Sequence, residues 1–264
     1  MAQERNAPAL LQRPLSPRSL VGSLLLGMQP PRMPAARLVE WCGLFGVAEG
    51  TARVALSRMV ERGELTASDG VYELAGHLER RRHAQDWSLA PQLDAWSGEW
   101  LFGVVSSGSR TAAERSALRD AARRLRLVEP RDGVWCRPDN LPREAAPAEA
   151  WATADAQCTW WRSRPVGEAA TQPTRQFAAP AWAARARELE THLLRATRSV
   201  RPGDGREIAE AFVIGAATLA HVRADPLLPP ELCGAGWPGD ALRNAYRDYQ
   251  AAFSEAVRDW FRKQ

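Results

Sequence analysis

Three short amphipathic segments near the start of the chain constrain its fold most strongly. The first starts at Ser16-Pro17, where serine is a favourable helix N-cap and proline a favourable first helical residue. Pro34 opens the second segment, and the third runs over residues 48–62. Apolar residues recur in each at i, i+3, i+4 and i+7, the spacing of one helix face. They are Val21, Leu24, Leu25 and Met28, then Leu38, Trp41, Cys42 and Phe45, then Ala52, Ala55, Leu56 and Met59.

A hairpin is predicted directly after the third helix. Residues 65–67 and 71–74 are short β-type runs, and the Ser68-Asp69-Gly70 sequence between them is a strong turn signal. Three helices followed by a hairpin is the order of elements in a winged helix-turn-helix. In that architecture the third helix enters the DNA major groove and the hairpin contacts the backbone.

The outward side of the third helix carries the polar residues that such a role needs. Arginine can bind guanine bidentately or hold a phosphate, and serine and threonine can donate to phosphates. A solvated helix with no partner also has a charged face, so the face alone leaves both interpretations open. The helix order and the Asp-Gly hairpin favour DNA binding, and the candidate residues are Thr51, Arg53, Ser57, Arg58 and Arg62.

The middle of the chain has the pattern of a small mixed α/β domain. The apolar run 100–105 predicts a strand, and a helical stripe from Leu118 to Leu125 follows it. Further strands are predicted over residues 126–128, 134–137 and 157–162, with a Pro/Ala-rich loop over residues 138–150. This order fits a ferredoxin-like α+β unit.

The remaining third is helical from Ala181 onward, apart from a proline-rich connector that carries Asp225 to Gly239. Its prolines fix φ and cannot continue a helix, so we expect a rigid elbow there. The expected fold class is α+β. The expected divisions are a flexible leader (1–15), a winged helix-turn-helix domain (16–90), a ferredoxin-like domain (91–170) and a helical C-terminal domain (171–264).

Composition excludes several other classes of protein. The net charge of +4 is a mild excess on 264 residues, and 45% hydrophobic residues are too many for a disordered chain. The longest apolar stretch, residues 20–28, is far shorter than the ~20 residues of a membrane span. No signal-peptide pattern precedes it. The four scattered cysteines form no zinc or disulfide pattern. We therefore expect a cytoplasmic protein with no membrane association, metal or cofactor.

The third helix also carries a family resemblance. Residues 45–65, from Phe45-Gly46-Val47 to Gly63-Glu64-Leu65, resemble the DNA-binding segment of the PaaX-type transcriptional regulators, the phenylacetate-catabolism repressors and their relatives. Two departures are Ala52-Arg53, where the family has Val-Arg, and Gly63-Glu64, where it has Gly-Trp. Three further motifs are similar and occur in the same order. They are Trp96-Ser97-Gly98-Glu99-Trp100, then Gly133-Val134-Trp135-Cys136-Arg137-Pro138, then Asp225-Pro226-Leu227-Leu228-Pro229-Pro230-Glu231-Leu232 with Gly236-Trp237-Pro238-Gly239.

The resemblance implies a ligand-controlled regulator, usually a repressor, that binds double-stranded operator DNA as a homodimer. It also implies a middle domain similar to the small CRISPR-associated nuclease fold, and an effector that is an acyl-CoA or an aromatic acid. Arginine suits the phosphates and carboxylate of such ligands, and tryptophan suits an aryl ring. The candidate ligand-binding residues are His221, Arg223, Trp100 and Trp135.

Two other functions stay open. One is a metal-dependent nucleic-acid-processing enzyme. The small CRISPR-associated nucleases, which have a similar fold, need an aspartate at the end of the first strand. Here that strand ends in Val105-Ser106-Ser107, without the carboxylate that a hard cation prefers. Because no catalytic motif occurs elsewhere either, we expect no enzyme activity. The other alternative is a DNA-binding protein without an effector.

Overall fold

The computed structural model describes residues 15–106, 108–164, 166, 177–200 and 204–263. The fold is mixed α/β with a helical C-terminal region, which confirms the expected class at that level. The chain forms two compact units: the first comprises Met1–Asp86, Ala186–Val222 and Asp240–Gln264, and the second Trp87–Arg185 and Arg223–Gly239. The predicted leader lies outside the described residues, except for Leu15.

Helices and strands are mixed as far as Ser163, and the described elements after it are helices. Their bounds are α1 (Pro17–Gly27), β1 (Arg32–Pro34), α2 (Ala35–Gly43), α3 (Glu49–Glu61), β2 (Leu65–Ser68), β3 (Val71–Leu74), α4 (Gly76–Leu89), β4 (Trp100–Val105), α5 (Ala112–Arg124), β5 (Val128–Arg131), β6 (Val134–Pro138), α6 (Ala148–Asp155), β7 (Cys158–Ser163), α7 (Ala179–Ser199), α8 (Gly205–Val222), α9 (Pro230–Cys233) and α10 (Gly239–Arg262).

The first unit is built on the three N-terminal helices. Ser16 caps α1 as predicted, because its hydroxyl accepts a hydrogen bond from the backbone amide of Ser19 at 3.2 Å. The predicted stripes of α1–α3 enter one core, in which Leu25, Leu38 and Leu56 are almost fully buried. Such burial stabilises the fold by about 1.5–3 kcal/mol for each large apolar side chain.

The C-terminal helices belong to this same core. The Trp41 ring of α2 lies edge-on to Phe212 of α8, with 5.1 Å between ring centroids, and 6.3 Å from Phe253 of α10. The Tyr249 hydroxyl donates to the Ala211 carbonyl at 2.8 Å. Gly215 is required here, because a Cβ at that position would lie 2.4 Å from the Tyr249 hydroxyl. Residues far apart in sequence therefore hold α1–α3 together.

The predicted hairpin is present with the turn that its sequence indicates. Ser68 pairs with Val71, and the two residues between them, Asp69 and Gly70, have φ of 50° and 75°. Two positive φ angles define a type I′ turn, for which Asp-Gly is a preferred sequence. A third strand that was not predicted, β1, pairs antiparallel with β3 and gives the sheet order β1-β3-β2.

The second unit contains a four-stranded antiparallel sheet in the order β5-β6-β4-β7. Helices α5 and α6 cover one face, where Leu118, Trp135 and Trp151 are buried. On the other face Trp100 and Cys136 are covered by Phe177 and Leu228. The β4 strand has the predicted bounds. The predicted loop over residues 138–150 is wrong at its end, because α6 begins at Ala148, and β5 lies two to three residues later than predicted.

Candidate nucleic-acid interface

Helix α3 has one buried side and one exposed side, as its sequence predicts. Ala52, Leu56 and Met59 are buried against the first unit's core. The opposite side is exposed, four of the predicted DNA-binding residues lie on it, and the fifth, Arg62, is the exposed C-cap residue. The five predicted residues are Thr51, Arg53, Ser57, Arg58 and Arg62. The side chains are therefore accessible to a partner that approaches α3 from solvent.

The charges on this exposed side are not equally available. The Arg53 Nε donates to Glu49 Oε1 at 2.8 Å, and both side chains are exposed. This pair is not predicted in the sequence analysis. The i, i+4 spacing of glutamate and arginine is the signal that would have found it. Arg58 forms no ion pair within the described part of the chain, so its guanidinium is the more available cation.

An apolar side chain lies among these polar ones. Val54 is 50% exposed, although valine usually gains free energy by burial. It follows Arg53 on the exposed side and is not covered by another element. Because apolar side chains can contact the thymine methyl group in the major groove, Val54 is a further candidate for this interface that the predicted set omits.

The base of the hairpin is fixed to α1 by an ion pair. Glu64, which occupies the position of the family's tryptophan, is 3% exposed, and its Oε2 accepts from Arg18 Nε at 2.7 Å. His77 Nε2 lies 3.3 Å from the same guanidinium. The hydrogen bond from Arg18 lowers the pKa of Glu64 below its usual value, despite the opposing effect of burial. The carboxylate is therefore charged at neutral pH.

Removing Arg18 should destabilise the first unit in a pH-dependent way. Arg18→Ala leaves a buried carboxylate without its partner, and we expect a loss of about 1–2 kcal/mol at pH 7, limited by the solvent exposure of Arg18. Because the folded pKa of Glu64 is lowered, this stabilisation is present above its unfolded pKa and is lost as pH falls through the folded pKa. Urea denaturation at pH 7 and at about pH 3.5 measures the difference.

A second substitution serves as the control. In a Glu64→Gln background, Arg18→Ala should cost much less, because the buried charge is gone. An equal loss at both pH values, or an equal loss in both backgrounds, would show that the ion pair does not account for the effect.

The two predicted ligand-binding tryptophans are not brought together. Trp100 and Trp135 lie on opposite faces of the second unit's sheet, and both are buried. His221 lies near the end of α8 in the first unit, and Arg223 belongs to the second. Burial and the nearby Arg124 lower the pKa of Arg223. The two tryptophans are core residues of different layers, so they do not line one pocket.

The surroundings of the cysteines are those of structural residues and not of reactive thiols. Cys42, Cys136 and Cys158 are buried and Cys233 is half-buried, all as free thiols. Burial raises the pKa of Cys42 to about 11 and that of Cys136 to about 12, so these thiols are protonated at neutral pH.

No group of three or more His, Cys, Asp or Glu side chains in the described residues is arranged to hold a metal ion. None of the described helices is long and apolar enough to cross a membrane.

The comparisons with known proteins agree with the motifs. The PaaX-like protein family matches residues 16–78, and the PaaX-like protein C-terminal domain matches residues 178–263. A solved structure, the uncharacterized protein Rv0674 from Mycobacterium tuberculosis, is 34% identical with a TM-score of 0.70. The match covers 93% of this chain and 98% of that one. No curated protein matches.

The two family matches identify the chain as a transcription regulator of a DNA-binding class. More narrowly, the chain belongs to the PaaX family.

Proposed function

We propose that the chain is a cytoplasmic transcriptional repressor that binds operator DNA through a winged helix-turn-helix. Helix α3 is the recognition helix and the β2–β3 hairpin is the wing. The observation that supports this proposal most strongly is the exposed side of α3. Val54, Ser57 and Arg58 are all exposed to solvent there. Cations for phosphate or guanine and an apolar group for thymine occur there on one accessible surface.

The second unit is proposed as a ferredoxin-like domain without enzymatic activity. Its chain order β4-α5-β5-β6-α6-β7 and its sheet order β5-β6-β4-β7 support the topology. Strand β4 ends at Val105 and is followed by Ser106, whereas the related nucleases have an aspartate there. Ser107, the last residue of the predicted strand end, lies outside the described residues. We propose that this domain serves regulation and not cleavage of nucleic acid.

Operator specificity is proposed to come from a homodimer released by a small-molecule effector. One winged unit offers few base contacts, whereas two units on half-sites spaced by whole helical turns double them. The family resemblance supports an acyl-CoA or an aromatic acid as the effector. Any saturable ligand of the folded state raises the midpoint of thermal unfolding, so a thermal-shift panel of acyl-CoAs separates this proposal from an effector-free protein.

A direct titration tests the proposal of specific DNA binding. Duplexes are selected by the protein from a random pool, and the best is compared with a scrambled duplex of equal composition by fluorescence anisotropy at about 0.15 M salt. We expect the selected duplex to bind at least ~10³-fold more tightly, the lower range for specific regulators. Equal affinity for both duplexes would contradict sequence-specific regulation by this chain.

A further inference from the structure

A cleft of about 710 Å³ opens in the second unit at the edge of its sheet. It lies between the edge strand β7, helix α6 and the segment that follows β6. Its volume is in the range of small-molecule sites, which are typically 300–1,000 Å³. The residues that line it include Trp151, Trp160, Trp161, Leu101 and Leu141, with Asp94, Asp139, Arg143, Glu144, Asp155 and Arg162 among the charged ones.

Tryptophans form the walls of this cleft. Trp151 packs edge-to-face on Trp160, with ring centroids 5.3 Å apart and planes at 73°. The Trp160 ring lies directly against β4 because Gly103 has no side chain; a Cβ there would come within 2.5 Å of the ring. Trp161, the next residue of β7, pairs with Phe102, so its side chain lies on the opposite face of the sheet from Trp160. The aromatic surface of the cleft is therefore that of Trp151 and Trp160.

One of these tryptophans already holds a cation on its face. The Arg143 guanidinium carbon lies 4.3 Å from the centroid of the Trp151 ring, well inside the distance of a cation–π contact. The contact places a positive charge on an indole ring of the cleft. An incoming ammonium group would find a second indole ring there, that of the half-buried Trp160.

The charged residues of the cleft also favour a positively charged ligand. Four carboxylates face two guanidiniums, which gives a formal charge of −2. Both guanidiniums are occupied: Arg143 donates to Asp155 at 2.5 Å, and Arg162 donates to Asp139. Asp94 and Glu144 have no such partner among the described residues. The backbone amide of Asp94 donates to the Asn140 carbonyl at 2.9 Å, which holds this carboxylate at the cleft.

We propose that this cleft binds an organic cation that carries an aromatic ring, of the size of an arylalkylamine. The ring packs on the tryptophan walls, and the ammonium group is attracted by Asp94 and Glu144. Phosphates and carboxylates are disfavoured, because both guanidiniums among the described lining residues are paired and two uncompensated carboxylates repel anions. This site and its ligand class go beyond the proposed regulator and differ from the anionic effectors that the family resemblance supports.

Two probes with the same ring and opposite charge test the proposal. Calorimetry on the full chain at pH 7 compares 2-phenylethylamine with phenylacetate. We expect 1:1 saturable binding of the amine, with phenylacetate at least ~10-fold weaker. Phenylacetate binding as tightly as the amine, or no binding of either probe at millimolar concentration, would overturn the proposal. DNA is not needed in this experiment, so its outcome is independent of the operator proposal.

Two double variants locate the binding. Asp94→Asn with Glu144→Gln removes both free carboxylates of the cleft and should weaken amine binding by ~10-fold or more. Asp132→Asn with Glu231→Gln changes the net charge of the second unit equally, at exposed positions outside the cleft, and should leave the affinity within ~2-fold. Equal weakening by both pairs would assign the effect to overall charge and contradict binding in the cleft.

Discussion

Replacing Arg58 with alanine is expected to weaken operator binding about 5- to 100-fold while the protein remains folded. Arg58 is exposed on α3 and has no ion-pair partner in the described structure, so its full charge is available to DNA. A good arginine contact to guanine contributes about 1–3 kcal/mol of discrimination. Arg53→Ala should weaken DNA binding less, because Arg53 must break its ion pair with Glu49 before it can contact DNA. The double variant should be the weakest binder.

Fluorescence anisotropy with the selected duplex measures these affinities, and Arg119→Ala is the matched control. Arg119 is an exposed arginine on α5 in the second unit, so its removal changes the net charge equally. It should leave operator affinity within about 2-fold, because Arg119 belongs to neither α3 nor the hairpin, and salt screens a general effect of one surface charge. If Arg119→Ala and Arg58→Ala weaken binding equally, the assignment of α3 is wrong.

The largest effect on stability is expected at Arg137. This arginine is 1% exposed on strand β6, and no carboxylate pairs with it in the described residues. Its guanidinium donates to three carbonyls and one amide oxygen, at 2.8–3.3 Å: those of Pro138, Leu125, Leu227 and Asn140. Burial lowers the pKa of Arg137 to about 9, so a charged guanidinium at neutral pH relies on these acceptors.

The backbone of Leu227 links the hydrogen bonds of Arg137 to a second motif. Its φ of 53° is unusual for a leucine, and its carbonyl accepts from both Arg137 and Asn140. Its amide donates to Asp225 Oδ1 at 2.9 Å. The motif around residues 133–138 and the proline-rich motif around residues 225–232 thus meet at one carbonyl. Ninety residues of sequence separate the two ends of this contact.

Arg137→Ala should therefore destabilise the second unit by about 3–5 kcal/mol, through lost hydrogen bonds, unsatisfied buried carbonyls and a cavity. Arg137→Met keeps most of the volume and should cost less, so the difference measures the cavity. Urea denaturation followed by tryptophan fluorescence gives both values. A loss below about 1 kcal/mol in Arg137→Ala would show that the network does not hold the two motifs together.

The sequence predicted best where a local signal decides the structure. The cap at Ser16, the Asp69-Gly70 turn and the buried side of α3 each depend on a few neighbouring residues, and all three are confirmed. Helix α6 was missed, because eight residues give only two turns of periodicity. Strand β1 was missed because three residues, one of them a proline, carry almost no strand signal.

Other features depend on contacts between residues distant in sequence. The packing of Phe212 and Phe253 on Trp41 has no signature in any one segment. In the sequence, Glu64 is a charged residue at a position where a packing residue is expected. Its partner, Arg18, lies 46 residues earlier and is identified only in the folded structure. The acidic character of the cleft was equally hidden, because Asp94, Glu144 and the tryptophans come from separate segments.

The most direct test of DNA recognition by α3 combines a protein variant with a modified base. Each guanine of the selected duplex is replaced in turn by 7-deazaguanine, which lacks the N7 acceptor of the major groove. At one position or more, the replacement should weaken the wild-type protein about 10-fold and leave the affinity of Arg58→Ala unchanged. If no position is sensitive, or if wild type and Arg58→Ala lose affinity equally at each one, α3 does not read the operator through Arg58.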